Sequence, residues 1–147
     1  MFSWYSKHPM KFDIITIFPE LFNDFTNQSL IARAIKKKLI SVKAYQLRKW
    51  TTDNHKTVDD RPYGGGPGLV MKVEPIFKAV MALKKRQEIS DKRQGKKSKS
   101  KVILLSPRGE KFDQAMAKKF SKLDQLIFIC GRYEGVDERV AKYIADE

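Results

Sequence analysis

The sequence predicts an α/β domain, a parallel sheet with helices on both faces. Three observations lead there. Four short runs of aliphatic and β-branched residues, at 11–17, 40–47, 101–106 and 126–130, suit strands of such a sheet. Stretches with helical spacing lie between them, and strands that alternate with helices pair in parallel. Three strand ends open onto turns, Phe18-Pro19, Ser106-Pro107-Arg108-Gly109 and Gly131 to Gly135, and strand ends are where open α/β sheets hold ligands.

The elements follow in order. Lys11 to Ile17 is the first strand, buried on both faces. Phe18-Pro19-Glu20 breaks it, and a short helical turn begins at Glu20, Leu21 and Phe22, with proline tolerated at its first position. Asn27 or Ser29 is expected to cap a helix whose apolar face uses Leu30, Ile31, Ala34, Ile35 and Leu39. Ile40 to Leu47 is the second strand. Arg48 to Asp60 is a polar connection in which Trp50, like Tyr45 before it, reads as packing. Val73 to Lys85 has helical spacing through Ile76, Val80 and Leu83, and Lys84 to Lys101 reads as a mobile linker or surface loop that could brush phosphate. Lys101 to Ser106 is the third strand. Phe112 to Phe120 is helical, with Asp113 at its start and Lys118 and Lys119 at its end, as the helix dipole prefers. Leu126 to Cys130 is the fourth strand, and Val136 to Ile144 begins a helix with Asp137 and Glu138 at its positive end. Ala145-Asp146-Glu147 follows without a closing strand or cap.

A chain of 147 residues is long enough for one domain with a core. Its formal charge of +13 points to a polyanionic partner such as nucleic acid, against the alternative of a merely lysine-rich surface. Cys130 is the single cysteine, which fits a reducing, cytoplasmic setting and excludes an internal disulfide or a multi-cysteine zinc site. No metal site is expected. No apolar run approaches membrane-spanning length, so no membrane partner is expected. Residues 1–9 read as an N-terminal extension, with Met10 a candidate start, and 10–147 as the domain.

Two glycine-rich stretches stand out as parts of one site. In Arg61-Pro62-Tyr63-Gly64-Gly65-Gly66-Pro67-Gly68, four of the eight glycines and two of the six prolines fall in eight residues. The loop is either a rigid turn or a nest of backbone N–H groups for an anion or a planar base, with Arg61 and Tyr63 placed to hold phosphate and stack. No Gly-Lys-Ser or Gly-Lys-Thr follows, so it is not a Walker loop. Asp59-Asp60 reads as a solvated pair, and His55 has no partner for nucleophilic chemistry. The second stretch is Cys130-Gly131-Arg132-Tyr133-Glu134-Gly135. It is a strand-to-helix turn or a close-fitting loop around a small ligand, with Gly131 and Gly135 for close approach, Tyr133 for contact and Glu134 for a polar group.

Taken together, Phe12 to Glu20, Asp60 to Gly68, Leu105-Ser106-Pro107-Arg108-Gly109 and Gly-Arg-Tyr-Glu-Gly-Val-Asp-Glu-Arg-Val at 131–140 resemble the bacterial tRNA (guanine-N1)-methyltransferases, over residues 10–147. The resemblance implies a SPOUT-class fold with a deep trefoil knot and a homodimer. It also implies transfer of the methyl group of S-adenosylmethionine to N1 of the guanosine just 3′ of the tRNA anticodon. On this chain it implies cofactor contacts at Leu105, Ser106, Pro107, Gly131, Tyr133, Glu134 and Gly135. The substrate side would comprise Asp60, Arg61, Tyr63, Gly64, Gly65, Gly66, Pro67 and Gly68. Leu69 stands where the family usually has Met, a mild change. The resemblance places the catalytic aspartate, the last cofactor loop, a linker and a tRNA-gripping helical domain after Glu147, which makes this chain an expected partial domain with an incomplete knot, inactive alone. The rival expectation is a non-catalytic basic RNA-binding module.

Overall fold

The computed structural model describes residues 8–147; of the expected extension, residues 1–7 lie outside the described residues. Strand β1 (Met10–Thr16) leads through a 3-10 turn at Pro19–Leu21 into α1 (Phe22–Asn27) and α2 (Ser29–Lys36), then β2 (Ile40–Gln46). A 3-10 turn at Leu47–Trp50 precedes two short strands, β3 (Asp59–Asp60) and β4 (Val70–Met71). Then come α3 (Val73–Gln94), β5 (Ser100–Leu105), α4 (Gln114–Phe120), β6 (Gln125–Cys130) and α5 (Glu138–Tyr143). The main sheet has four strands in the order β2-β1-β6-β5, all parallel, as the alternating pattern predicted. The crossover connections put β1 and β6 side by side in the middle, where both faces need cover, which is why their apolar residues run on without alternation.

Each face has its own core. Ile15, Ile127, Ile129 and Val102 point to one side, where Ile76, Ala79, Val80 and Leu83 of α3 and Val140 of α5 cover them. Those α3 positions recur at i, i+3, i+4 and i+7, the stripe that turns one face of a helix to a core. Burying each of the larger side chains contributes about 1.5–3 kcal/mol. On the other side Ile103 and Leu126 pack with Phe120 of α4, and Phe12 and Phe128 stack in parallel at 6.4 Å between centroids. Helices thus lie on both faces.

Helix α3 runs well past its predicted end, so most of the loop predicted from Lys84 is helix. The apolar stripe stops at Leu83, but the same face continues as Gln87 and Asp91. Gln87 Nε2 donates to Asp91 Oδ1 (2.7 Å) and to Ser98 Oγ (2.9 Å), while its Oε1 accepts from Lys11 Nζ (2.7 Å). A polar network therefore docks the second half, which hydrophobic periodicity does not register. The helix stops at Gly95, whose φ of 61° lies in the left-handed region, with Lys96 N–H donating to the Asp91 carbonyl.

Smaller departures concern ends. Neither Asn27 nor Ser29 caps α2: Asn27 closes α1, Ser29 is already the first residue of α2, and Gln28 holds the cap position without a side-chain bond. The apolar face of α2 is only half covered, and Leu30 is exposed. Residues Asp146 and Glu147 do pair with the sheet: Asp146 N–H donates to the Val102 carbonyl (2.8 Å) and Leu104 N–H to the Glu147 carbonyl (2.9 Å), along the free side of β5. Two residues of pairing are too short to leave a pattern.

One buried polar cluster lies under α3. Asp13 Oδ2 accepts from Gln125 Nε2 (2.7 Å), and Asp13 Oδ1 accepts from the Tyr45 hydroxyl (3.0 Å) and faces Arg86 (3.5 Å). Tyr45 also meets Trp50 at 6.2 Å, so both rings are packing, as expected.

Candidate functional site

Parallel strands place all their C-terminal ends on one edge, and there the glycine stretches meet. β3 and β4 pair antiparallel, Asp59 with Met71 and Asp60 with Val70, and Lys72 N–H donates to the Val58 carbonyl. These bonds make residues 61–69 the tip of a hairpin. Gly64 and Gly65 take positive φ with no atoms near, so their need is conformational. Tyr63 stands 95% exposed, an aromatic face open to a planar partner.

The second stretch is stitched to the first by backbone. Glu134 N–H donates to the Leu69 carbonyl (3.2 Å), Met71 N–H to the Gly135 carbonyl (3.0 Å) and Asp137 N–H to the Met71 carbonyl (3.0 Å). The Glu134 carboxylate accepts the Leu69 N–H at 2.8 Å. It lies across Gly68: a Cβ built there would sit 2.1 Å from the Glu134 carboxyl carbon, and Gly68 has φ +89°. Glycine suits this position for its conformation, and a side chain there would displace the flexible Glu134 carboxylate from its place.

The third segment adjoins the second through the sheet, since Leu105 is in register with Cys130. A Cβ on Gly131 would meet Val136 Cγ2 at 3.1 Å and the Leu105 carbonyl at 3.8 Å. Ser106 to Gly109 is a turn closed by Gly109 N–H to the Ser106 carbonyl (3.2 Å), with Ser106 Oγ accepting from Arg108 N–H (3.2 Å). Beside Gly131 a cleft of about 400 Å³ is lined by Thr16, Phe18, Leu21, Phe22, Phe25 and Arg132, among others. Of the residues predicted to hold a cofactor, Gly131 alone lines it; Leu105, Ser106, Pro107, Tyr133, Glu134 and Gly135 sit along the same edge outside the cleft.

The description of the family model that matches residues 10–147 is tRNA (guanine-1)-methyltransferase TrmD. The chain belongs to this family. It is 51% identical over 138 residues to a tRNA (guanine-N(1)-)-methyltransferase of Dictyoglomus turgidum, covering 94% of this chain and 51% of that protein. Against the enzyme of the same name from Geobacter metallireducens it is 46% identical over 139 residues, covering 94% and 53%. The crystal structure of the tRNA (m1G37) methyltransferase from Aquifex aeolicus superposes with a TM-score of 0.76 at 38% identity, covering 95% of this chain and 58% of that one. The chain spans about half the length of the curated relatives it matches.

Within this member of the family, sequence reading gave no role to Arg132. Its guanidinium stands 4.7 Å over the Phe18 ring, a cation–π contact that turns a positive charge toward the cleft. A cation between two glycines at a strand end was the available signal. Cys130 lines the cleft too, and burial pushes its thiol up, away from reactivity. Among the described residues no group of His, Cys, Asp and Glu is arranged to hold a metal ion, and no helix is long and apolar enough to cross a membrane.

Asp137 anchors the start of α5 under the site, accepting from the Arg139 backbone N–H (2.9 Å) and side chain (2.7 and 2.9 Å). The Arg139 hydrogen bonds hold its carboxyl below the ordinary carboxylate range. A folded-state pKa below the unfolded one stabilises above the unfolded value, and that contribution disappears as pH falls through the folded value. Asp137→Ala is expected to destabilise by about 1 kcal/mol at neutral pH, as lost caps do. Urea melts check this, and the difference from the parent should shrink toward zero in acid, below the carboxylate range.

Proposed function

We propose that the protein is a tRNA-modifying enzyme that transfers a methyl group from S-adenosylmethionine to N1 of guanosine 37 of tRNA, the position named for the Aquifex aeolicus relative. The observation that carries the reading is the stitching of the two glycine stretches into one site at the C-terminal edge of the sheet, in a chain of this family. Leu105 and Tyr133 leave 52% and 41% of their surface exposed beside the bare backbone of Gly131. A planar base finds both apolar contact and main-chain polar groups there, so these residues fit the adenosine end of the cofactor.

Leu105, Ser106, Pro107, Gly131, Tyr133, Glu134 and Gly135 are proposed to hold S-adenosylmethionine, which supplies an activated methyl group when bound. Asp60, Arg61 and Tyr63 to Gly68 are proposed to receive the nucleotide, with Tyr63 stacking on a base and Arg61 holding phosphate. Guanine N1 carries a proton near neutral pH, so alignment of N1 and removal of that proton are the requirements of the reaction. The Glu134 carboxylate is occupied by the Leu69 N–H and is assigned to positioning the loop rather than to proton removal. The homodimer, the SPOUT-type knot and a cytoplasmic location belong to the same proposal. Leu21 and Phe25 beside the cleft are 71% and 59% exposed, an apolar surface suited to cover by a second copy.

The test is transfer of labelled methyl from S-adenosylmethionine by the whole protein to a tRNA transcript. Label is expected with guanosine at the target position and not with adenosine there. tRNA binding without transfer would replace the reading by a non-catalytic RNA-binding module, which family membership does not favour.

A further inference from the structure

The N-terminal ends of the parallel strands form the edge opposite the site, and the surplus positive charge collects there. Leu39, Met10, Lys11, Asp124 and Lys99 run side by side, joined by Met10 N–H to the Leu39 carbonyl (3.1 Å), Lys11 N–H to the Asp124 carbonyl (2.9 Å) and Asp124 N–H to the Lys99 carbonyl (2.8 Å). This ribbon brings together segments far apart in sequence. Lys37 and Lys38 arrive from the end of α2, Lys122 from the turn before β6, and Arg93, Lys97 and Lys99 from the end of α3 and the turn after it. All six are exposed.

Their negative neighbours are tied inward. Asp91 accepts from Ser98 N–H and Oγ (both 2.7 Å), and Asp124 accepts from Lys96 Nζ and Lys99 N–H (both 2.8 Å). The site edge is different: Arg61, Arg108, Arg132 and Arg139 there are interspersed with Asp60, Glu134, Asp137 and Glu138, and Arg139 is paired with Asp137. Of the two edges, the N-terminal one therefore carries the more nearly single-signed charge among the described residues. Across four strands it spans about 14 Å, three gaps of about 4.8 Å, enough to meet a few successive phosphates. The strands separate it from the site by about 20 Å.

We propose that this edge is a second RNA-binding surface, gripping phosphate backbone away from the reacting nucleotide. The inference rests on the reading that the partner is RNA and adds a contact on the far side of the sheet from the cofactor site. Phosphate contacts by lysine and arginine carry no sequence information but raise affinity and position the RNA, with a strong dependence on salt.

Fluorescence anisotropy of a labelled tRNA transcript, titrated with the whole protein at several salt concentrations, tests it. Lys37→Gln/Lys38→Gln/Lys97→Gln/Lys99→Gln is expected to weaken binding about tenfold at low salt and to flatten the slope of log affinity against log salt by about 0.7–0.9 for each phosphate no longer neutralised. The same charge change on other exposed positions, Lys43→Gln/Lys49→Gln/Lys78→Gln/Lys85→Gln, is expected to cost less than about threefold. Equal losses in the two sets would overturn the proposal in favour of the field of the whole molecule, and unchanged affinity in the first set would overturn it outright. If the parent binds no tRNA, the RNA reading itself fails; if it binds and the first set matches the parent, this surface alone fails. Circular-dichroism melts check folding, and the single variants Lys38→Gln and Lys97→Gln, one from each side of the edge, decide the matter should the fourfold variant not fold.

Discussion

Alanine in place of Gly68 is expected to open the clasp between the two glycine stretches. Its Cβ would lie 2.1 Å from the carboxyl carbon and 2.4 Å from both carboxylate oxygens of Glu134, so the Glu134 side chain must leave. With it goes the 2.8 Å bond to Leu69 N–H. A left-handed φ costs a residue with a Cβ about 1 kcal/mol, and loss of a hydrogen bond to a charged acceptor about 1.5–3 kcal/mol more. Because the clasp is exposed, the smaller end of that range applies, and the loss falls on loop order before global stability. Hydrogen exchange should show the amides of Leu69 and Glu134 exchanging at least about tenfold faster in Gly68→Ala, while those of β1 and β6 keep the parent's rates. Under the proposed function, methyl transfer by the whole protein should fall by about a hundredfold, since small misplacements of positioning groups cost that much. A double-mutant cycle separates the two causes. In a Glu134→Ala background, Gly68→Ala should cost only the backbone strain; an undiminished cost there would show that the carboxylate is not what Gly68 accommodates.

Asp13→Ala is expected to produce the largest loss of stability. Asp13 is 3% exposed in β1, one of the two middle strands, and gathers Gln125, Tyr45 and Arg86 onto one carboxylate. Without it the buried Gln125 Nε2 loses its acceptor, in a residue whose Oε1 already has no partner. The Tyr45 hydroxyl keeps Arg86 as a partner, and the exposed Arg86 side chain can turn to water, which limits the damage. Breaking a buried charged cluster by removing one member costs about 3–5 kcal/mol, and the lower figure suits a cluster with one solvated member. That corresponds to about 10 °C in Tm for a chain of this size. Thermal and urea melts read it directly. Adding Gln125→Leu to Asp13→Ala should recover part of the loss, because the orphaned amide goes with it. A single-variant loss below about 1 kcal/mol would mean that water takes the place of the carboxylate.

Much of the fold was legible because its signals are local. The apolar runs Val102 to Leu105 in β5 and Leu126 to Ile129 in β6, and the pair Ile14-Ile15 in β1, do not alternate because both faces of those strands are covered, and Asp113 and Asp137 sit at helix starts that their own side chains cap. Glycine density likewise marked the two stretches that backbone hydrogen bonds stitch together. The second half of α3 was not legible, since Gln87 and Asp91 dock it through partners that periodicity cannot name. Neither was the pairing of Asp146 and Glu147 with β5, nor the position of Arg132 over Phe18.

The sequence by itself determined the α/β class, the parallel pairing of the strands and the family, because burial pattern and spaced motifs are properties of short segments, whereas the strand order β2-β1-β6-β5 came with the tertiary structure. Only the tertiary structure decided what the segments do to one another. It put the Glu134 carboxylate across Gly68, gathered Asp13, Tyr45, Arg86 and Gln125 into one cluster, and collected lysines from three connections on a single edge. The physical reason is common to all three. Crossover connections bring residues dozens of positions apart within hydrogen-bonding distance, and neither propensity nor periodicity carries the partner of a long-range contact.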